Sequence, residues 1–219
     1  MGLEILEFDS GFNESLGGVT FPSSLQSLTL GSNYEESLDA VTLPNSLNNL
    51  TLGFKFNQSL ERATLPSGLQ CLTFDSKFNH SLERVTLLHS LCSLTLGGDF
   101  NQSLKQVTFP SNLQNLTFGQ ALNQSLEGVT LPDSLRSLTF DFSFNQSFEE
   151  VTWPRNLQQL SFSRDFNQSL QRVAWPSSVQ SLVFGHQTPS FEDCLAILLV
   201  LGSGWNLCRI PSFASSLEK

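Results

Sequence analysis

Basic residues are scarce in this chain. It has 11 Lys and Arg against 20 Asp and Glu, a formal net charge of −9 over 219 residues. Neutralising a phosphate backbone takes clustered Lys and Arg, so a nucleic-acid partner is not expected. Long apolar runs are missing too. The longest, CLAILLVLGSGW from Cys194 to Trp205, falls well short of the roughly 20 residues a bilayer span needs, so no membrane partner is expected. The opening MGLEILEFDS carries two Glu and no apolar core, and therefore does not read as a secretory leader. With Leu6 at its sixth position it also fails the myristoylation pattern. A cytoplasmic location is expected. Four cysteines (71, 92, 194 and 208) lack the paired CxxC spacing of a zinc or redox centre and read as free thiols. Tyr and Met occur once each against 19 Phe, which points to one environment used many times.

What is present is a repeat. FNQSL begins at Phe56, Phe100 and Phe166, with near copies FNESL at Phe12, FNHSL at Phe78, LNQSL at Leu122 and FNQSF at Phe144. With Tyr34 included, equivalent positions recur every 22 residues without insertion or deletion. A strict period of this length is the signature of a solenoid. A partial unit precedes the first complete one, so nine rungs begin at Leu3, Leu25, Leu47, Leu69, Leu91, Leu113, Leu135, Leu157 and Val179.

In a solenoid each residue's neighbours are its own copies one turn above and below, so each column has one environment. In LQSLTL the apolar Leu28 and Leu30 alternate with Ser27 and Thr29, the period-2 pattern of a half-buried strand. Leu25, Leu28 and Leu30 are expected inside, Ser27 and Thr29 outside. Later in the unit Val19 and Phe21 point in and Thr20 out, and Pro22 limits this stretch to a short extended segment. Between them, Phe12 and Leu16 fill the turn. The Asn13 column is expected to be buried and to bond backbone at the bend.

The motifs L-x-S-L-T-[FL]-G, F-N-Q-S-L and L-P-x-S-L resemble FNIP repeats, a 22-residue class within the leucine-rich repeat superfamily. The resemblance covers approximately residues 3 to 187. Ser59 and its equivalents stand where that family often has Pro. The resemblance implies a mainly β, leucine-rich-repeat-like solenoid (residues 1–187) with a parallel sheet on its concave side and extended or irregular chain on its convex side. It also implies a protein-interaction role. The period breaks at Thr188, and residues 188–219, with Phe191, Leu195, Leu198, Leu199 and Leu201, are expected to form a short C-terminal cap, the alternative being a tail that faces another domain or subunit. The first rung is expected to be an exposed edge, and the chain a monomer or part of a larger array.

Catalysis needs unlike groups converging, whereas a repeat supplies like groups in rows. His80, His89 and His186 read as surface histidines, because no Cys or carboxylate stands at metal-ligand spacing. The serines include no G-x-S-x-G, and Gly202–Gly204 is no phosphate loop. No enzyme, catalytic residue, metal or cofactor is expected. Sequons at Asn49, Asn57 and Asn115 arise mostly from the repeat and are read as unmodified. Trp153 and Trp175 read as core. Function is expected on the outward columns, through Asn49, Thr51, Thr73, Thr95, Asn115, Thr117, Thr139 and Gln159, beside the irregular neighbours Phe54, Phe142, Arg164 and His186. Breaks at Tyr34-Glu35 and Leu88-His89 are further places to look. The function expected is a non-catalytic scaffold binding a protein through the concave face. The alternative is an ordered surface, ice or polysaccharide, bound through Thr ladders.

Overall fold

The computed structural model describes residues 2–185. The expected C-terminal cap, His186, Cys194 and Cys208 lie outside them. Nine short strands, one per rung, form a single sheet in chain order: β1 (Ile5–Glu7), β2 (Ser27–Thr29), β3 (Asn49–Leu52), β4 (Cys71–Phe74), β5 (Ser93–Thr95), β6 (Asn115–Phe118), β7 (Ser137–Phe140), β8 (Gln159–Ser161) and β9 (Ser181–Val183). Every pairing is parallel at an offset of 22 residues, as in Leu28 with Leu50 and Thr29 with Thr51. Nine strands at about 4.8 Å spacing give a sheet roughly 38 Å long. No helix occurs among the described residues.

Each strand after the first is set by a shared acceptor. Glu4 O takes N–H bonds from both Gln26 and Ser27, at 2.7 and 3.0 Å, and Gln158 O does the same for Gln180 and Ser181 at the far end. The rest of the rung turns at three corners, each closed by a bond between residues three apart: Phe56 N–H to Gly53 O, Val41 N–H to Leu38 O, and Leu47 N–H to Pro44 O. Proline suits the third corner because only its carbonyl is used there. Leu88 replaces it in one rung, and Leu91 N–H still bonds Leu88 O at 3.0 Å, so this break leaves the corner intact. At the second corner Ser59 Oγ accepts Glu61 N–H at 3.2 Å, and the equivalent serines repeat the bond. That local serine turn gives the column a structural role.

The core is one continuous apolar column stack. Leu25, Leu28 and Leu30 are buried, as are Leu47, Leu50 and Leu52 one rung on. Phe12, Tyr34, Phe56, Phe78 and Phe100 stack ring over ring at 6.0 to 6.4 Å between centroids. Trp175 is buried and Trp153 half-buried against this core. The first rung departs from expectation: Val19, expected inside, is 40 % exposed, whereas Val41 above it is 4 % exposed. No lower rung covers it among the described residues, and Leu3 and Ile5 are exposed on the same edge.

The asparagine column also corrects the sequence reading. Asn57, Asn79, Asn101 and Asn123 are exposed, yet they do bond backbone: each side-chain oxygen accepts the N–H of the next asparagine up, at 2.9 to 3.0 Å. The ladder lies at the surface because the amide acts between rungs, beside the buried Phe. Glu35 interrupts it, accepting Gln58 Nε2 on its carbonyl and sitting 3.9 Å from Lys55 Nζ.

Tyr34 is the odd member of the ring stack. Its hydroxyl is buried without a hydrogen-bond partner of good geometry, and burial pushes its pKa from 10.0 up to about 12, against the Leu16 backbone, which pulls it down, and with the Glu36 charge adding to the rise. An unpaired buried hydroxyl costs stability, so Tyr34→Phe, the residue of the neighbouring rungs, is expected to stabilise by about 1 kcal/mol at neutral pH. The folded pKa lies above the unfolded one, so ionisation of Tyr34 costs the fold nothing below pH 10 and progressively destabilises it as pH rises from 10 toward 12. Denaturant titrations across this range should show a smaller alkaline loss for Tyr34→Phe than for the parent chain; equal losses would contradict the assignment.

Candidate interaction surface

Two outward columns run the length of the sheet. Asn49, Cys71, Ser93, Asn115, Ser137 and Gln159 stand in register in one, and Thr51, Thr73, Thr95, Thr117 and Thr139 in the other. Asn49, Asn115 and Gln159 are exposed and the threonines half-buried. Alternation along each strand produces this, since Leu50, Leu72, Leu94 and Leu116 between them face the core. Cys71 and Cys92 are free, and burial first, then the neighbouring Cys92, pushes the Cys71 thiol up. The surface is small-residue, hydroxyl- and amide-rich, with little charge.

The irregular residues form two separate features. Phe54 is 42 % and Phe142 40 % exposed, four rungs apart, and each carries a cation: Lys77 Nζ lies 5.9 Å from the Phe54 ring centre and the Arg164 guanidinium 5.7 Å from that of Phe142. Lys77 also pairs with Asp99 at 2.9 Å. The structure therefore brings Arg164 to Phe142, and keeps Phe54 away from both.

Between these features, where the strands end, lies a notch of about 320 Å³ that the sequence reading did not single out. Its walls are Thr95, Thr117 and Thr139, its floor the backbone of Gly97, Gly98 and Gly119, and its ends Asp75 and Asp141. The signal was available in one column, which reads Asp9, Gly31, Gly53, Asp75, Gly97, Gly119, Asp141. Burial pushes the Asp141 carboxyl up, against the backbone of Phe142, which pulls it down. Asp75 Oδ1 accepts Ser76 N–H at 2.7 Å.

His80 Nε2 lies 2.9 Å from Asn57 O, extending the ladder of turn bonds, and His89 is exposed. Among the described residues no three His, Cys, Asp or Glu side chains gather as a metal site, and no helix is long and apolar enough to cross a membrane.

Comparisons with known proteins bear on the repeat. The family model described as FNIP Repeat matches residues 12–55, 56–99, 100–143 and 144–187, each match spanning two 22-residue units. A solved structure reported as CroV588, a novel circular leucine-rich-repeat protein, superposes with a TM-score of 0.79 at 37 % identity. The match covers 83 % of this chain and 27 % of that one, so this chain spans well under half the length of that protein. No match was found among curated proteins. The rung, its 22-residue register and its F-N-x-S-L turn are those of a leucine-rich-repeat-like solenoid, and the chain belongs to the FNIP repeat family.

Proposed function

We propose that the chain is a non-catalytic scaffold that binds a protein partner through the concave face of its sheet. A repeat solenoid of this kind suits protein interaction in general. The observation that carries the finer reading is the unbroken register of the outward columns, which offers a continuous bonding surface over nine strands. Side chains here are short, so the partner is held by many weak contacts, with the exposed rings of Phe54 and Phe142 as the larger anchors.

Thr73→Lys, Thr95→Lys and Thr117→Lys together place three charges on adjacent rungs of that face without touching the core. Partner recovery in a pull-down is expected to fall about tenfold or more, because three long charged side chains would have to be desolvated against a surface fitted to short neutral ones. The control is a variant with three lysines at Thr64, Thr86 and Thr108, exposed residues away from the sheet. Equal recovery by both variants would remove the concave face from the function. The ordered-surface alternative finds no support in the comparisons.

A further inference from the structure

We propose that the notch at the strand ends receives an extended segment of the partner carrying two basic residues four positions apart, one cation at Asp75 and one at Asp141. This rests on the reading of the sheet face as an interaction surface. The volume of about 320 Å³ is that of a small ligand site. Asp75 and Asp141 both line it, and neither has a cationic partner among the described residues. The chain's own nearby cations are committed elsewhere: Lys77 to Asp99 and the Phe54 ring, Arg164 to the Phe142 ring. The notch is therefore acidic at both ends, with no cation among the described residues paired to either carboxylate.

Packing does not account for the opening. Gly97 and Gly119 are needed for close approach, since an added Cβ would fall 1.7 Å from Asp75 O and 2.2 Å from Gly97 O. Gly98 is different: a Cβ there would meet only Ser76, at 3.4 Å, an ordinary contact. Other rungs place Ser32, Phe54, Ser76, Gln120, Phe142 or Arg164 at this position, so the missing side chain opens the notch without serving the fold.

The spacing specifies the occupant. The two aspartates stand three rungs apart, roughly 14 Å at about 4.8 Å per strand, which four residues of extended chain span at about 3.4 Å each. Residues i and i+4 of an extended segment also project to the same side. A basic pair at that interval reaches both carboxylates, and the glycine floor admits its backbone.

The probe is the peptide acetyl-Arg-Gly-Ser-Gly-Arg-amide, titrated into the ¹⁵N-labelled chain. Saturable shifts are expected at the amides of Gly97, Gly98 and Gly119, with Gly31 and Gly53 of the same column unmoved. Affinity should fall at least fivefold for a single-Arg peptide, for Asp75→Asn/Asp141→Asn, and for Gly98→Gln, whose thermal midpoint should match the parent's. A glutamate version of the peptide should not bind. No shifts, shifts spread equally to Gly31 and Gly53, or equal binding by the single-Arg peptide would overturn the notch. Because Thr95 and Thr117 also line it, the lysine variant cannot separate the two readings. Full partner recovery by Asp75→Asn/Asp141→Asn, with loss in the lysine variant, overturns the notch and leaves the interaction face standing.

Discussion

Phe78→Ala is expected to lower the unfolding free energy by about 3–5 kcal/mol, the usual cost of emptying a buried aromatic site. Phe78 is fully buried and touches phenylalanine rings in three directions: Phe56 and Phe100 below and above it at 6.4 and 6.1 Å, and Phe74 beside it at 3.9 Å. Offset ring pairs add to the area term, so several neighbours lose contact at once. A rung has only its two neighbours to lean on, because stability in a solenoid is a sum of intrinsic and nearest-neighbour terms. Deleting one ring of the stack should therefore loosen both interfaces. Urea titration followed by circular dichroism measures the loss. Hydrogen exchange should show faster opening centred on Leu72 and Leu94, and a loss under 1 kcal/mol would mean that the column is not a stability element.

Gly97→Val should be nearly as costly, at about 3 kcal/mol, and for a different reason. The Cβ position at Gly97 lies 1.7 Å from Asp75 O and 2.6 Å from Asp75 C, and both belong to backbone that cannot rotate away. Relief requires the two rungs to separate at the strand end, where Phe100 N–H bonds Gly97 O and Asp99 N–H bonds Ser76 O. Overpacking of this kind typically costs 1–3 kcal/mol, and more where backbone must move. Gly98→Ala is the control: its backbone is not in the left-handed region and its Cβ has ordinary room, so the change should stay within about 0.5 kcal/mol. Similar losses from both variants would show that the close approach at Gly97 is not what the glycine is for.

Much of this fold was legible in advance because a repeat averages out local ambiguity. One LQSLTL alternation is a weak strand signal; eight copies at a fixed interval leave few other architectures. The inward leucines, the outward threonines and the core positions of Trp153 and Trp175 follow from that periodicity and from the need to bury apolar area. The asparagines were legible only in part. The need for a bond was visible, but whether Asn57 reaches back into its own bend or up to Asn79 N–H depends on where the next rung sits. Val19 was misplaced for the same reason, since a column argument assumes a neighbour on both sides.

The candidate surface divides along the same line. The rows from Asn49 to Gln159 and from Thr51 to Thr139 were readable, because register and alternation decide them. The notch was not, although the Asp-Gly-Gly column was in view. Its existence depends on how far three rungs close up over Gly97 and Gly119, on Gly98 leaving space unfilled, and on Lys77 and Arg164 turning onto Phe54 and Phe142 rather than onto the aspartates. Sequence alone determined the rung, its register and which way the strand side chains face, since these follow from period and burial. Tertiary structure alone decided which carboxylates are left unanswered and where there is room beside them, because both are set by distances between rungs that no single unit contains.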